Sequence, residues 1–133
     1  MEFTIGQLAR AAGVGVETIR FYQRRKLVQE PRRPPSGYRK YDGEAARRIR
    51  FIRQAQELGF SLKEIRDLLT LRIDPTVSCA DVKARAEAKI GEVDRKIASL
   101  RRIRRALAGI TESCLGSGPT TDCPILEAIE NKR

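Results

Sequence analysis

From Val82 to Ile110 apolar side chains return at Val82, Ala86, Ile90, Val93, Ile97, Leu100, Ile103, Leu107 and Ile110, with charged and small residues between them. The mean spacing is about 3.5 residues, the repeat of a coiled-coil seam, and it is kept up for about four heptads. A helix with so narrow an apolar stripe needs a partner along its whole length. Thirty residues of helix span roughly 45 Å, too far for the shorter elements before it to cover. The stripe therefore predicts a dimer of long helices.

The chain before the seam is organised differently. A break at Ile73-Asp74-Pro75-Thr76 separates short helical patterns from the long one. Three segments follow: residues 1–73, a linker and long helix over 74–113, and a loop with a short helix over 114–133. Thr4 with Gln7, Ser61 with Glu64 and Ser78 with Asp81 fit the capping box at helix starts. Asp42 is expected to cap a helix with Ala45, Ile49, Ile52 and Ala55 inward and Arg47, Arg48, Arg50 and Arg53 outward. Ile65, Leu68 and Leu69 mark the next helix.

Between Ile5 and Leu27 the spacing is that of a helix-turn-helix. Ala9 is small enough for a close helix crossing, Gly13 suits the turn, and Ile19 returns a branched apolar residue to the interface. Arg20, Gln23, Arg24, Arg25 and Lys26 lie on or just past the second helix. The segment EPRRPPSGYRKY, residues 30–41, carries three prolines and a glycine and is no helix. Its Tyr38, Arg39 and Lys40 suit phosphate oxygens or a groove, as in a wing beside a reading helix; Tyr41 is expected to turn inward. The fold expected is all-α with a small β wing: a winged helix-turn-helix and then a long antiparallel coiled-coil dimerisation helix.

Charge supports a polyanionic partner. Residues 1–73 carry 16 Lys and Arg against 8 Asp and Glu, while residues 74–133 carry 11 against 9. Base concentrated in one half is the electrostatic footprint of nucleic acid binding. With 41% hydrophobic residues the chain is not a disordered one. No apolar run is long enough to span a membrane and the first residues are no signal peptide, so the cytoplasm is expected.

The chain has three cysteines and no histidine. An odd count is no disulfide framework. Cys79 falls in the first turn of the long helix, while Cys114 and Cys123 flank a Gly/Ser/Thr/Pro loop past its other end. A continuous helix keeps the three sulfurs apart within one chain. Two such helices paired antiparallel bring Cys79 of one beside Cys114 and Cys123 of the other, forming two symmetric three-thiolate sites. Thiolates select soft metals, and three sulfurs without imidazole fall short of a usual structural zinc site. Hg(II), Pb(II) and As(III) suit them better. The alternative is three unrelated small hydrophobes. A thiol redox enzyme would want Cys-x-x-Cys and a cofactor-binding glycine motif, and neither is present, so no enzyme activity is expected. A regulator that senses oxidants through disulfides is a rival of another kind.

The stretches TIGQLARAAGV, ETIRFYQRRKLV, SGYRKY and IRFIRQAQELGFSLKEI, in that order, resemble the DNA-binding half of the MerR family of bacterial transcription regulators. TVSCADV, ESC and DCPIL resemble the cysteine segments of its mercury-responsive members. The resemblance covers about residues 3–129. It implies a homodimer on double-stranded promoter DNA, with Hg(II) as effector held by Cys79 of one protomer and Cys114 and Cys123 of the other, two ions per dimer. It also implies repression without metal, and activation with metal by bending and untwisting the promoter for RNA polymerase. The residues implied to contact DNA are Thr18, Arg20, Tyr22 and Arg24 on the reading helix and Tyr38 and Arg39 on the wing. Gly15 stands where some members carry a capping Asn. Lead- and cadmium-responsive relatives use similar cysteine positions, and the loop Leu115–Asp122 differs in composition from other members.

Overall fold

The computed structural model describes residues 2–31 and 40–131. Helices α1 (Ile5–Ala12), α2 (Val16–Arg24), α3 (Gly43–Glu57), α4 (Leu62–Ile73), α5 (Cys79–Glu112) and α6 (Pro124–Asn131) follow in order, with a 3₁₀ turn at Thr120–Asp122. The chain forms two compact units, Met1–Val82 and Lys83–Arg133. The sequence break at residues 73–76 is thus the end of α4, and the units divide later, within α5. No helix among the described residues is long and apolar enough to cross a membrane.

The first unit is built around Leu8, Ile19, Leu27, Ile49, Ile52 and Ile65, all fully buried. Each contributes roughly 1.5–3 kcal/mol of burial. Ala9 and Ala12 join them where α1 meets α2, and their small side chains let the two helices approach. In α3 Ile49, Ile52 and Ala55 are buried as expected, and only the first position differs: Ala46 is buried there while Ala45 is half-buried.

Helix starts follow the sequence signals with one variation. Thr4 and Gln7 close a full capping box, as do Ser61 and Glu64, and the Asp42 carboxylate accepts from the Ala45 N–H at 3.0 Å. Before α5 the roles differ. The Asp81 carboxylate accepts both the N–H (3.0 Å) and the hydroxyl (3.3 Å) of Ser78. The ionised acid is the better acceptor, so the serine hydroxyl donates to it.

Three helix ends share one device. Val14 N–H bonds to Ala9 O, Leu27 N–H to Tyr22 O and Phe60 N–H to Ala55 O, each reaching back over a residue at positive φ. Those residues are Gly13 (φ 72°), Lys26 (φ 59°) and Gly59 (φ 93°). This is the Schellman arrangement, in which the backbone folds over the orphan carbonyls and inserts the next apolar residue into the core. Glycine adopts that backbone freely; lysine does so against its Cβ. Lys26 is held there because Leu27, the residue after it, is fully buried.

Arginines of the later helices complete these ends. Arg50 Nη1 donates to Ala11 O at 3.2 Å and Arg53 Nη1 to Gly13 O, while Arg48 Nε donates to Leu27 O and Arg66 Nη2 to Arg25 O. Cations at the carbonyl end of a helix also meet its negative dipole end. The outer arginines of α3 therefore hold the helix-turn-helix in place as well as adding surface charge.

Residues 32–39, expected to form a wing, lie outside the described residues. Phe3 and Tyr41 pair in an isolated antiparallel bridge, in which Phe3 N–H donates to Tyr41 O at 2.6 Å and Tyr41 N–H to Phe3 O at 2.7 Å. Tyr41 is buried, as its sequence context implied.

Along α5 the apolar stripe is uncovered. Val82, Ile90, Val93, Ile97, Leu100, Ile103 and Leu107 remain 40–63% exposed in the single chain. α6 likewise leaves Leu126 and Ile129 exposed.

Candidate functional site

The second helix of the helix-turn-helix presents one face outward. Glu17, Arg20, Phe21 and Arg24, at helical spacings of three and four, are exposed along it, and Thr18 lies half-exposed beside them. Neither Arg20 nor Arg24 has a hydrogen-bond or ion-pair partner among the described residues. Both guanidinium groups are thus free for base edges or phosphates, where Arg offers a planar fork of donors. Phe21, not singled out from the sequence, is 38% exposed, with its ring 6.1 Å from that of Tyr22.

Tyr22 corrects the expected set. It is only 2% exposed, and its hydroxyl donates to Gln56 Oε1 at 2.6 Å, tying α2 to α3. Burial pushes its phenol above the ordinary value, with the nearby Arg53 cation pulling partly the other way. The side chain seats the reading helix instead of lying on its outer face. The helix period accounts for this: Ile19 and Tyr22 are three apart and share the inward stripe. Tyr38 and Arg39, the two expected wing contacts, lie outside the described residues.

Gln23 links the reading helix to Tyr41. Its Nε2 donates to the Tyr41 hydroxyl at 2.7 Å. The start of α2 is left open: Gly15 is its N-cap and supplies no side-chain acceptor.

The thiols occupy the two ends of α5. Cys79 is the first residue of the helix and is exposed; Cys114 follows its last turn and Cys123 precedes α6, both half-buried. All three are free. At about 1.5 Å per residue a helix of this length runs about 50 Å. Among the described residues no group of three or more His, Cys, Asp or Glu side chains comes together to hold a metal ion. The donor set itself fits a soft ion, since thiolate sulfur is its natural ligand.

The loop between the last two cysteines is shaped by glycine. Gly116 (φ 79°) and Gly118 (φ 103°) take the left-handed region, and the 3₁₀ turn at Thr120–Asp122 leads into Cys123. The Gly116 N–H donates to Cys114 Sγ at 3.4 Å.

Comparison with known proteins agrees with this architecture. Residues 3–71 match the family model for the MerR HTH family regulatory protein, and residues 46–110 match that for MerR, DNA binding. The mercuric resistance operon regulatory protein of Bacillus cereus is 41% identical over 132 residues, covering 99% of this chain and all of its own length. The transcription regulator PbrR691 from Ralstonia metallidurans CH34, solved in complex with lead(II), matches with a TM-score of 0.84 at 35% identity, over 96% of this chain and 98% of its own. The dual-function regulator MerR from Bacillus megaterium MB1, solved with mercury(II), matches with a TM-score of 0.71 at 36% identity, over 95% and 97%. Likeness over nearly the whole length, together with a helix-turn-helix seated as described, means that the chain belongs to the MerR family of DNA-binding transcription regulators, among its metal-responsive members.

Proposed function

We propose that this chain is a cytoplasmic, Hg(II)-responsive regulator of a mercury-resistance operon, repressing it without metal and activating it with metal. One observation carries the reading. Three free thiols lie at opposite ends of a helix whose apolar stripe is uncovered, and one chain gathers no metal-holding cluster among its described residues. Pairing α5 antiparallel with a second copy covers the stripe and joins Cys79 of one protomer to Cys114 and Cys123 of the other. One act of burial thus completes the dimer and both sites. The likeness to a mercuric resistance regulator supports Hg(II) as the ion.

A soft metal ion would be held there by Cys79 of one protomer and Cys114 and Cys123 of the other, and would supply strong bonding to thiolate sulfur; the chain's own residues do the rest. Arg20 and Arg24 hold each half of an inverted repeat, and Thr18 supports them. The thiolates tie the ends of α5 to the partner, so their closure sets the spacing of the two reading helices. A changed spacing is read out as bent and untwisted promoter DNA, which RNA polymerase then opens. A lead(II) or cadmium(II) response is the second reading, favoured by the higher TM-score to the lead-bound relative.

A mixed dimer tests the geometry. One protomer carries Cys79→Ser and the other Cys114→Ser with Cys123→Ser. Sites shared between chains leave one complete end, so the mixed dimer binds one tight Hg(II) while neither mutant homodimer does. A mixed dimer no better than its parents would overturn the shared site. Transcription in response to Pb(II) or Cd(II) equal to that with Hg(II) would favour the second reading.

A further inference from the structure

The three sulfurs are not equivalent in their surroundings. Cys114 Sγ accepts the Gly116 N–H at 3.4 Å, whereas no hydrogen bond reaches the sulfur of Cys79 or Cys123 among the described residues. The interaction spans two residues, and the chain makes it by turning through Gly116 at φ 79°. A Cβ there would meet nothing within 4 Å, so the need for glycine is conformational and not steric. The Cys114 backbone is itself fixed: its N–H donates to Thr111 O at 3.1 Å, continuing the last turn of α5. The side chain thus extends from a held backbone and is met by a held donor.

A donor aimed at sulfur does two things to a metal ligand. It restricts the side chain to one rotamer, which lowers the entropy lost on coordination. It also draws electron density from the sulfur, as hydrogen bonds to cysteine ligands do at other metal–thiolate centres. We propose that the Gly116 main-chain N–H is a positioning group for the three-thiol site, presetting Cys114 as a ligand and tuning its sulfur. The proposal rests on the reading of Cys79, Cys114 and Cys123 as a soft-metal site. It assigns a role to a backbone atom, so that role is invisible to ordinary side-chain replacement.

Cys114 makes the test practical, because a peptide that begins with cysteine can be ligated to a thioester. Residues 1–113 are joined to synthetic 114–133 in three forms: all-amide, with the Gly116 N–H replaced by an ester oxygen, and with D-alanine at 116. D-alanine keeps the N–H and favours positive φ. Circular dichroism establishes that each full-length protein folds, and each is titrated with mercury(II) and lead(II) against a competing small thiol. The ester form should bind roughly 10–100-fold more weakly, at unchanged stoichiometry. Its sulfur-to-metal absorption band should move to longer wavelength, because a sulfur without its donor holds electrons less tightly. The D-alanine form should follow the all-amide protein in both affinity and band. An ester form matching the all-amide protein in both would overturn the role of Gly116 and leave the metal site standing. If the all-amide protein binds neither ion through its cysteines, the metal-site reading fails and this proposal with it.

Discussion

Gln23 Nε2 donates to the Tyr41 hydroxyl at 2.7 Å, so the reading helix is bonded to the residue that pairs with Phe3. Tyr41 pairs with Phe3 through its backbone, packs its ring in the core and offers its hydroxyl to α2. Tyr41→Phe removes only that acceptor. Loss of one half-buried hydrogen bond should cost about 1 kcal/mol in unfolding free energy. Operator affinity should fall equally at every salt concentration, because the same phosphates stay neutralised. A change in the salt slope would show that the hydroxyl touches DNA.

Arg20→Ala and Arg24→Ala should each weaken operator binding by roughly 1–3 kcal/mol where a base or buried phosphate is bound. For each phosphate left without its arginine, the plot of log affinity against log salt should flatten by about one unit. Tyr22→Phe should behave differently. Its hydroxyl bonds to Gln56, so the change should lower stability by about 1 kcal/mol and leave the slope alone. Titrations at several salt concentrations, with thermal unfolding of the same proteins, separate the two kinds of residue.

Lys26 holds a backbone conformation that suits glycine, at φ 59°. Lys26→Gly should stabilise the fold by about 1 kcal/mol through relief of that strain, less whatever glycine's greater unfolded-state freedom returns. Gly13→Ala should do the reverse, since φ is 72° and the new Cβ would meet Arg53 Nη1 at 3.3 Å. Denaturant midpoints of the two variants should move in opposite directions from the parent.

Glu92 gives α5 a dependence on pH. Its carboxylate accepts Lys89 Nζ at 2.6 Å and lies 3.3 Å from Lys96 Nζ. The Lys89 hydrogen bond first, and then that from Lys96, hold its carboxyl below the ordinary value. A group whose folded value is depressed stabilises the fold above the ordinary carboxylate range, and the contribution is lost as pH falls through the folded value. Asp74, lowered by its bond to the Thr76 hydroxyl, has the same sign. The melting temperature should therefore drop on acidification. Glu92→Gln should flatten that drop; an identical pH profile would remove Glu92 as its source.

Much of this protein is legible in its sequence because the signals are local. The capping pairs Thr4–Gln7 and Ser61–Glu64 lie within one helical turn, and the structure closes both as boxes. The spacing of Ala9, Gly13 and Ile19 placed the helix-turn-helix, since small, flexible and branched residues at those intervals meet the demands of a close helix crossing. The stripe from Val82 to Ile110 specified a long helix by its period alone, and three free thiols without histidine specified a soft donor set.

Tertiary structure decided what depends on residues distant in the chain. Helical period puts Tyr22 on the inward stripe with Ile19, but only the packed fold gives its hydroxyl a partner, Gln56, thirty-four positions away, and leaves Phe21 outside. Arg48, Arg50, Arg53 and Arg66 look like solvated surface charge until α1 and α2 end beneath them with open carbonyls. Lys26 at positive φ has no local cause; the depth of Leu27 imposes it. Local pattern is sufficient where a hydrogen bond closes within a turn, because its entropy cost is small and its partner is always near. Where the partner lies on another helix, only the packed core decides which donor meets which acceptor.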